Sequence, residues 1–213
     1  VKETETDGIR RLPPGPHGLP PELVERNQRE RLIAAMAEEC AAGGYAATSV
    51  TGIARRAGVS TASFYRQFKD RRDCMLVSFE ELFGRLLEGI ERACAAEQDV
   101  AERTALGIRT VAVLLAGDPP TARLLTLEIL SVGEQGARLQ HEAIDRLAAA
   151  LHEARGADTV VARPFPTVEW VAVAAMVSLA AKRAAEGKSP DAAELEAVCA
   201  WLDAPRVDSV RKT

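Results

Sequence analysis

The sequence predicts an all-α protein, with an N-terminal three-helix unit built around a helix-turn-helix and a larger helical domain after it. Three observations carry the all-α class, and the helix-turn-helix rests on the motif from Tyr45. Alanine is abundant, and with Leu, Glu and Arg it favours helix because these side chains lose little freedom there. The long alternation of Val, Ile and Thr that strands need is absent. Apolar residues recur at helical spacing in stretches punctuated by Gly and Pro. At 213 residues, with 47% hydrophobic and 27% charged side chains, the chain suits one large or two small globular domains.

Residues 1–20 hold Pro13, Pro14, Pro16 and Pro20 with three glycines and read as a flexible arm, in which Arg10 and Arg11 are cationic and His17 has no evident role. A helix is expected from Pro21, a residue suited to a first helical position, to about Ala42, where Gly43-Gly44 ends it. Its stripe includes Leu32, Ile33, Met36 and Cys40. Asp70 is expected to cap a long helix over about 71–96, with Asp73 in a capping-box-like position. Met75, Phe79, Phe83, Leu86 and Ile90 supply its apolar face. Further helices are expected over about 99–116, 120–132 and 134–155, the first broken by Gly117-Asp118-Pro119-Pro120. Residues 156–166 read as a linker, 167–186 as a strongly apolar helix, 190–203 as the last helix, and 205–213 as a frayed tail. The domains expected are thus 21–69 and 70–204, flanked by the arm and the tail.

Charge is distributed unevenly. Between Gly43 and Arg72 there are six cations (Arg55, Arg56, Arg66, Lys69, Arg71, Arg72) and one anion, Asp70. That segment is net +5 in a chain of net −4, so the remainder carries −9. A short basic segment inside an acidic protein is the footprint of a local anionic partner or, more blandly, a solvated face. Cys40, Cys74, Cys94 and Cys199 form no CxxC pair and read as buried structural thiols in a reducing compartment. No signal peptide opens the sequence, and the longest apolar run, Trp170 to Ala181, is well short of the ~20 residues a membrane span needs. The expectation is a cytoplasmic protein with no membrane partner.

The informative stretch runs YAATSVTGIARRAGVSTASFYRQFKDRRDC from Tyr45. Thr48 or Ser49 can cap a short helix whose inner face is Val50, Ile53 and Ala54. Ala57-Gly58-Val59 make a tight turn, with Gly58 free to take positive φ. Ser60 caps a second short helix anchored by Ala62, Phe64, Tyr65 and Phe68. Two short helices joined by such a turn are the signature of the helix-turn-helix, whose second helix enters a major groove.

Over about residues 30–76 the sequence resembles the N-terminal domain of TetR-family regulators. The resemblance rests on Gly44-Tyr45, Thr48-Ser49-Val50, Ile53-Ala54, Ala57-Gly58-Val59-Ser60, Phe64-Tyr65 and Phe68. It implies a DNA-binding domain followed by a helical ligand-binding and dimerisation domain. Phosphate contacts then fall to Thr48, Ser49, Ser60, Tyr65, Lys69, Arg71 and Arg72, since hydroxyls, cations and helix N-termini bind phosphate. Base reading falls to Thr61, Ala62, Ser63 and Arg66, with Thr51 and Arg55 nearby. Thr61 and Ala62 stand where the family often has lysine and glycine, so small side chains imply thymine-methyl or water-mediated contacts.

The resemblance also implies a homodimer formed through the last two helices, here with Val171, Ala175, Leu179, Leu195, Val198 and Trp201 at the interface. The helix over 167–186 is apolar nearly all round, as burial by its own domain and a partner requires. The partner DNA is double-stranded operator, an inverted repeat. A hydrophobic or amphipathic effector is expected in a cavity of the 71–155 helices, with Glu128, Gln135, His141 and Trp170 as polar candidates, and its binding releases DNA. A same-fold regulator without a ligand, or an activator, has the same sequence signature. An all-helical enzyme finds no support in any nucleophile elbow, HExxH or glycine loop, and His17, His141 and His152 are too scattered for a metal site. No catalytic residue, cofactor or metal is expected.

Overall fold

The computed structural model describes residues 20–154, 168–195 and 197. The expected arm, the 156–166 linker, the tail, and Val198, Cys199 and Trp201 lie outside the described residues. Among the described residues the secondary structure is entirely helical.

Helix α1, Pro21–Ala47, buries Leu32, Ile33, Met36 and Cys40. It is not one straight helix. Gly44 takes φ 78° and ψ 162°, so the Gly43-Gly44 terminator breaks the run and one further turn carries the chain to Ala47. Helices α2, Val50–Ala57, and α3, Thr61–Gln67, follow. Ser49 Oγ accepts the Gly52 N–H at 3.0 Å, and Ser60 Oγ accepts the Ser63 N–H at 3.0 Å, so each short helix has its own cap. Gly58 ends α2 in the left-handed conformation, φ 63°. Phe64 and Phe68 are fully buried and pin α3 onto α1.

Helix α4, Arg71–Ala96, starts as expected. Asp70 Oδ1 accepts the Asp73 N–H and Asp73 Oδ2 accepts the Lys69 N–H, each at 2.8 Å. Its apolar face meets α5, Val100–Gly117, and α7, Glu134–Ala154. Helix α8, Val168–Ala185, packs on α6 and α7 and contributes Val173, Met176 and Ala180 to the core.

The helix expected over 120–132 is two elements. Helix α6, Pro119–Thr126, stops at Leu127, and a 3-10 turn covers Glu128–Val132. Side chains replace the missing helical donors: Gln140 Nε2 donates to the carbonyls of Leu125 at 3.1 Å and Thr126 at 2.8 Å. The 3-10 turn then lies directly on α7, where a Cβ at Gly136 would stand 2.0 Å from the Ile129 carbonyl oxygen. Only glycine admits that approach.

Candidate nucleic-acid interface and apolar pocket

The helix-turn-helix is fastened from α1 by charged side chains. Arg31 donates to the carbonyls of Ala57 and Gly58 in the turn between α2 and α3. Arg29 pairs with Glu81 of α4 at 2.7 Å, reaches the Gln67 carbonyl at 3.5 Å and lies 5.0 Å above the Phe68 ring. Arg56 is held by Glu39 at 2.7 Å and Glu38 at 3.2 Å. None of these anchors is legible in sequence, because each partner is 17 or more residues away.

With the inner face of α3 pinned, its outer face presents Thr61, Ala62, Tyr65 and Arg66 to solvent, Tyr65 with 60% of its surface exposed. Ser49 and Ser60 sit at the caps, and Thr51, Arg55, Lys69 and Arg72 are exposed around this face. Two residues expected there are turned inward. Thr48 is 4% exposed, and its hydroxyl donates to the Gly44 carbonyl at 3.1 Å. Ser63 is 7% exposed, with its hydroxyl 3.0 Å from that of Ser60 and accepting from Arg66 Nη2 at 2.9 Å. Both side chains are spent on local structure, Thr48 because the α1 kink brings the Gly44 carbonyl beside it and Ser63 because it joins the Ser60 cap.

Arg71 is half-buried and clamps the connection between α1 and α2. Its Nη1 donates to the carbonyls of Thr48 at 2.6 Å and Tyr45 at 3.3 Å, and its guanidinium lies 4.3 Å above the Tyr45 ring. The basic segment therefore divides. Arg56 is paired with Glu38 and Glu39, Arg71 is engaged on backbone carbonyls and Arg66 reaches back to Ser63, while Arg55, Lys69 and Arg72 are exposed.

The second feature is a small apolar pocket, a cavity of about 40 Å³, between α4, α5, α6, α7 and α8. Phe79, Phe83, Leu86, Ile144, Leu147 and Val173 dominate its walls, and Thr126 and Gln140 are its polar members. Apolar walls with a few polar groups are the character of a small-molecule site, although the cavity is smaller than such a molecule. None of the polar residues expected to line it does so. Glu128 is 5% exposed but faces the other way, accepting the Tyr45 N–H at 2.7 Å and pairing with Arg123 at 2.7 Å. His141 is exposed, with Nδ1 2.8 Å from the Ala137 carbonyl of its own helix, and Gln135 is exposed too. Trp170 is half-buried and donates to Asp145 at 2.8 Å. Gln140 was the available signal, a polar residue on the buried face that Ala143, Ile144 and Leu147 share.

On α8, Val171 is 37% exposed and Ala175 and Leu179 are half-buried, so the three keep a surface outside their own domain. Leu195, expected at the same interface, is instead 1% exposed in the core of this chain, where the Arg183–Glu194 ion pair ties its segment to α8. Burial of three of the cysteines is as the sequence suggests: Cys40, Cys74 and Cys94 are buried free thiols. Desolvation pushes Cys40 up to about 11 and Cys74 to about 12. Among the described residues no helix is long and apolar enough to cross a membrane.

Residues 32–76 match the family described as bacterial regulatory proteins, tetR family. The fatty acid metabolism regulator protein of Bacillus subtilis (strain 168) is 32% identical over 105 residues, which are 49% of this chain and 54% of that protein. The match thus spans about half the length of that curated relative. Among solved structures, the fatty acid degradation regulator FadR from Bacillus halodurans superposes with a TM-score of 0.70 at 20% identity, over 82% of this chain and 94% of that one. FadR from Bacillus subtilis in complex with stearoyl-CoA superposes at 0.65 and 22% identity, over 81% and 96%. A TetR-family transcription regulator from Marinobacter aquaeolei VT8 superposes at 0.63 and 19%, over 85% and 96%. At these identities the structural likeness shows a shared fold. The chain therefore carries, at residues 32–76, a helix-turn-helix segment that matches the tetR family of bacterial regulatory proteins, within a fold shared with these regulators.

Proposed function

We propose that this protein is a dimeric, sequence-specific DNA-binding transcriptional repressor of the cytoplasm, released from its operator by an amphipathic ligand with a long acyl chain. The observation that carries the reading is the outer face of α3, where Thr61, Ala62, Tyr65 and Arg66 are exposed on a helix whose inner face is locked by Phe64 and Phe68. A rigid short helix with small, hydroxylic and cationic side chains facing out suits a major groove. Residues 21–69 form the DNA-binding domain in this reading, and 70–204 the regulatory and dimerisation domain.

In this reading Tyr65, Lys69, Arg72, Ser49 and Ser60 meet phosphates, and Thr61, Ala62, Arg66 and Arg55 face base edges. Two-fold symmetry through the α8 surface of Val171, Ala175 and Leu179 sets two α3 helices about 34–36 Å apart, the spacing of successive major grooves. The operator is then an inverted repeat.

The acyl ligand is supported by the apolar walls of the pocket, which opens from about 40 Å³ to admit such a chain, and by the stearoyl-CoA bound to the Bacillus subtilis FadR of the same fold. Burying a chain of methylenes is favourable by about 0.8 kcal/mol each, and the pocket asks for little hydrogen bonding. Release of DNA requires the ligand to bind the two conformations unequally. The test is fluorescence anisotropy of a bound operator duplex under titration with stearoyl-CoA. Displacement that saturates, with no effect from coenzyme A alone, supports the reading. Equal affinity for DNA with and without bound stearoyl-CoA contradicts it.

A further inference from the structure

The break between α6 and the 3-10 turn is held from two opposite sides. On the pocket side, Gln140 secures the carbonyls of Leu125 and Thr126, and both of those residues line the pocket. Two residues further on, Glu128 faces the helix-turn-helix unit. Its carboxylate accepts the Tyr45 N–H at 2.7 Å and pairs with Arg123 through Nε at 2.8 Å and Nη2 at 2.7 Å. Arg123 Nη1 in turn donates to the Ala184 carbonyl at 2.5 Å, at the end of α8. The pocket wall, the end of α8 and the kink of α1 therefore meet on one largely buried ion pair.

Plain stability is a poor explanation for that pair. Taking two charges out of water costs about what their attraction returns, and apolar side chains of the same volume often serve as well. What the pair does provide is direction. The kink at Gly44 takes the Tyr45 N–H away from a helical acceptor and aims it at Glu128. A Cβ at Gly44 would stand 3.5 Å from Glu128 Oε2, so the carboxylate is in contact with the kink itself. The Tyr45 and Thr48 carbonyls on the far side of the same turn receive Arg71, and Ser49 next caps α2. A displacement of Glu128 reaches the start of α2 through a turn of four residues.

We infer that Glu128, oriented by Arg123, is a positioning residue that transmits occupancy of the apolar pocket to the setting of α2 and α3. The inference rests on the proposed function for its ligand and its DNA. A ligand that shifts Leu125 and Thr126 shifts the rigid 3-10 turn behind them. Tyr45 then follows its acceptor or loses it, and in either case the helix-turn-helix resets against α4.

The test uses the full chain and measures the operator Kd with and without saturating stearoyl-CoA in the parent, Glu128→Gln and Arg123→Lys. Gln keeps the shape of Glu128, and Lys keeps the charge of Arg123 but not its fork. In the parent, stearoyl-CoA is expected to weaken DNA binding by about tenfold or more, within the usual span of allosteric coupling. In both variants the factor is expected to fall below about threefold, while stearoyl-CoA still binds the DNA-free protein with about the parental Kd. A merely structural role would not separate those two readouts. An unchanged coupling factor in both variants overturns the inference, and so does loss of stearoyl-CoA binding, which would put Glu128 in the pocket after all.

If stearoyl-CoA neither binds nor displaces, the ligand reading fails and the positioning role is read without it. Ala143→Phe fills the pocket from α7. Amide exchange at Tyr45 should then accelerate by about tenfold in the parent background and not further in Glu128→Gln. Equal acceleration in both backgrounds, or none in the parent, overturns the inference independently of any effector.

Discussion

Arg71 Nη1 donates to the carbonyl of Thr48 at 2.6 Å, across the junction between the start of α4 and the turn before α2. The bond joins the helix-turn-helix to α4, and the Tyr45 ring beneath the guanidinium completes the clamp. Arg71→Ala is expected to cost about 1–3 kcal/mol of stability, because the freed carbonyls lose a charged donor. Arg71→Lys should recover only part, having no planar fork to span two carbonyls. Urea midpoints check this. A variant as stable as its parent would show that the clamp contributes nothing.

Tyr65 and Thr61 both lie on the outer face of α3 and are assigned different work. Tyr65→Phe should leave stability within about 0.5 kcal/mol, as an exposed substitution does, and weaken binding to operator and scrambled duplexes by the same factor. Thr61→Ala should instead change the ranking among single-base operator variants. Anisotropy on a panel of duplexes separates the two, and identical behaviour of both mutants would remove the division between clamp and reader.

Gly44 carries φ 78° beside the Glu128 carboxylate. Gly44→Ala is expected to cost about 1–3 kcal/mol, because φ 78° with ψ 162° is a backbone region essentially confined to glycine. Thermal unfolding reads the loss. The substitution should also speed exchange of the Tyr45 amide, which depends on the same kink.

Gln140 is buried with Nε2 on two carbonyls. Replacing it by Leu leaves the Leu125 and Thr126 carbonyls without that donor, and about 1–3 kcal/mol of stability should be lost. Because the pocket becomes more apolar, stearoyl-CoA affinity measured by calorimetry should hold or rise. A large drop in affinity with unchanged stability would assign Gln140 to ligand contact instead.

Burial raises Cys40 to about 11 and Cys74 to about 12 from an ordinary 9.0. The folded state therefore favours the neutral thiol. Below pH 9 both states hold their protons and stability is undiminished; from pH 9 upward the unfolded chain ionises first, and stability falls until the pH passes the folded values. Urea midpoints at pH 8 and pH 10 should differ less in a Cys40→Ala/Cys74→Ala double variant than in the parent. In the native protein at pH 8, iodoacetamide should leave Cys40 and Cys74 unmodified.

What the sequence made legible was local. Ser49, Gly58 and Ser60 mark caps and a turn within a dozen residues of one another, and the Asp70 cap marks α4 at Arg71 because its partner Asp73 is three residues away. What stayed hidden depends on distant partners. Glu128 reads as a pocket group until its bond to Tyr45, 83 residues earlier, is known. The break after Thr126 needs Gln140, 14 residues on. Thr48 and Ser63 carry the right chemistry for a phosphate or a base, yet a kink and a cap turn their hydroxyls inward. Residue type predicted the surface, and tertiary contacts decided which side chains reach it.

In the proposed function the α3 face of a two-fold dimer reads DNA. Selection of bound duplexes from a randomised library, read by sequencing, tests it most directly. Enrichment of an inverted repeat is expected, with half-sites about one helical turn apart or a multiple of it. The enrichment should vanish when Tyr65 and Arg66 are both replaced by Ala. No enrichment at low salt from folded, dimeric protein, or the same enriched sequence from the double variant, would contradict it.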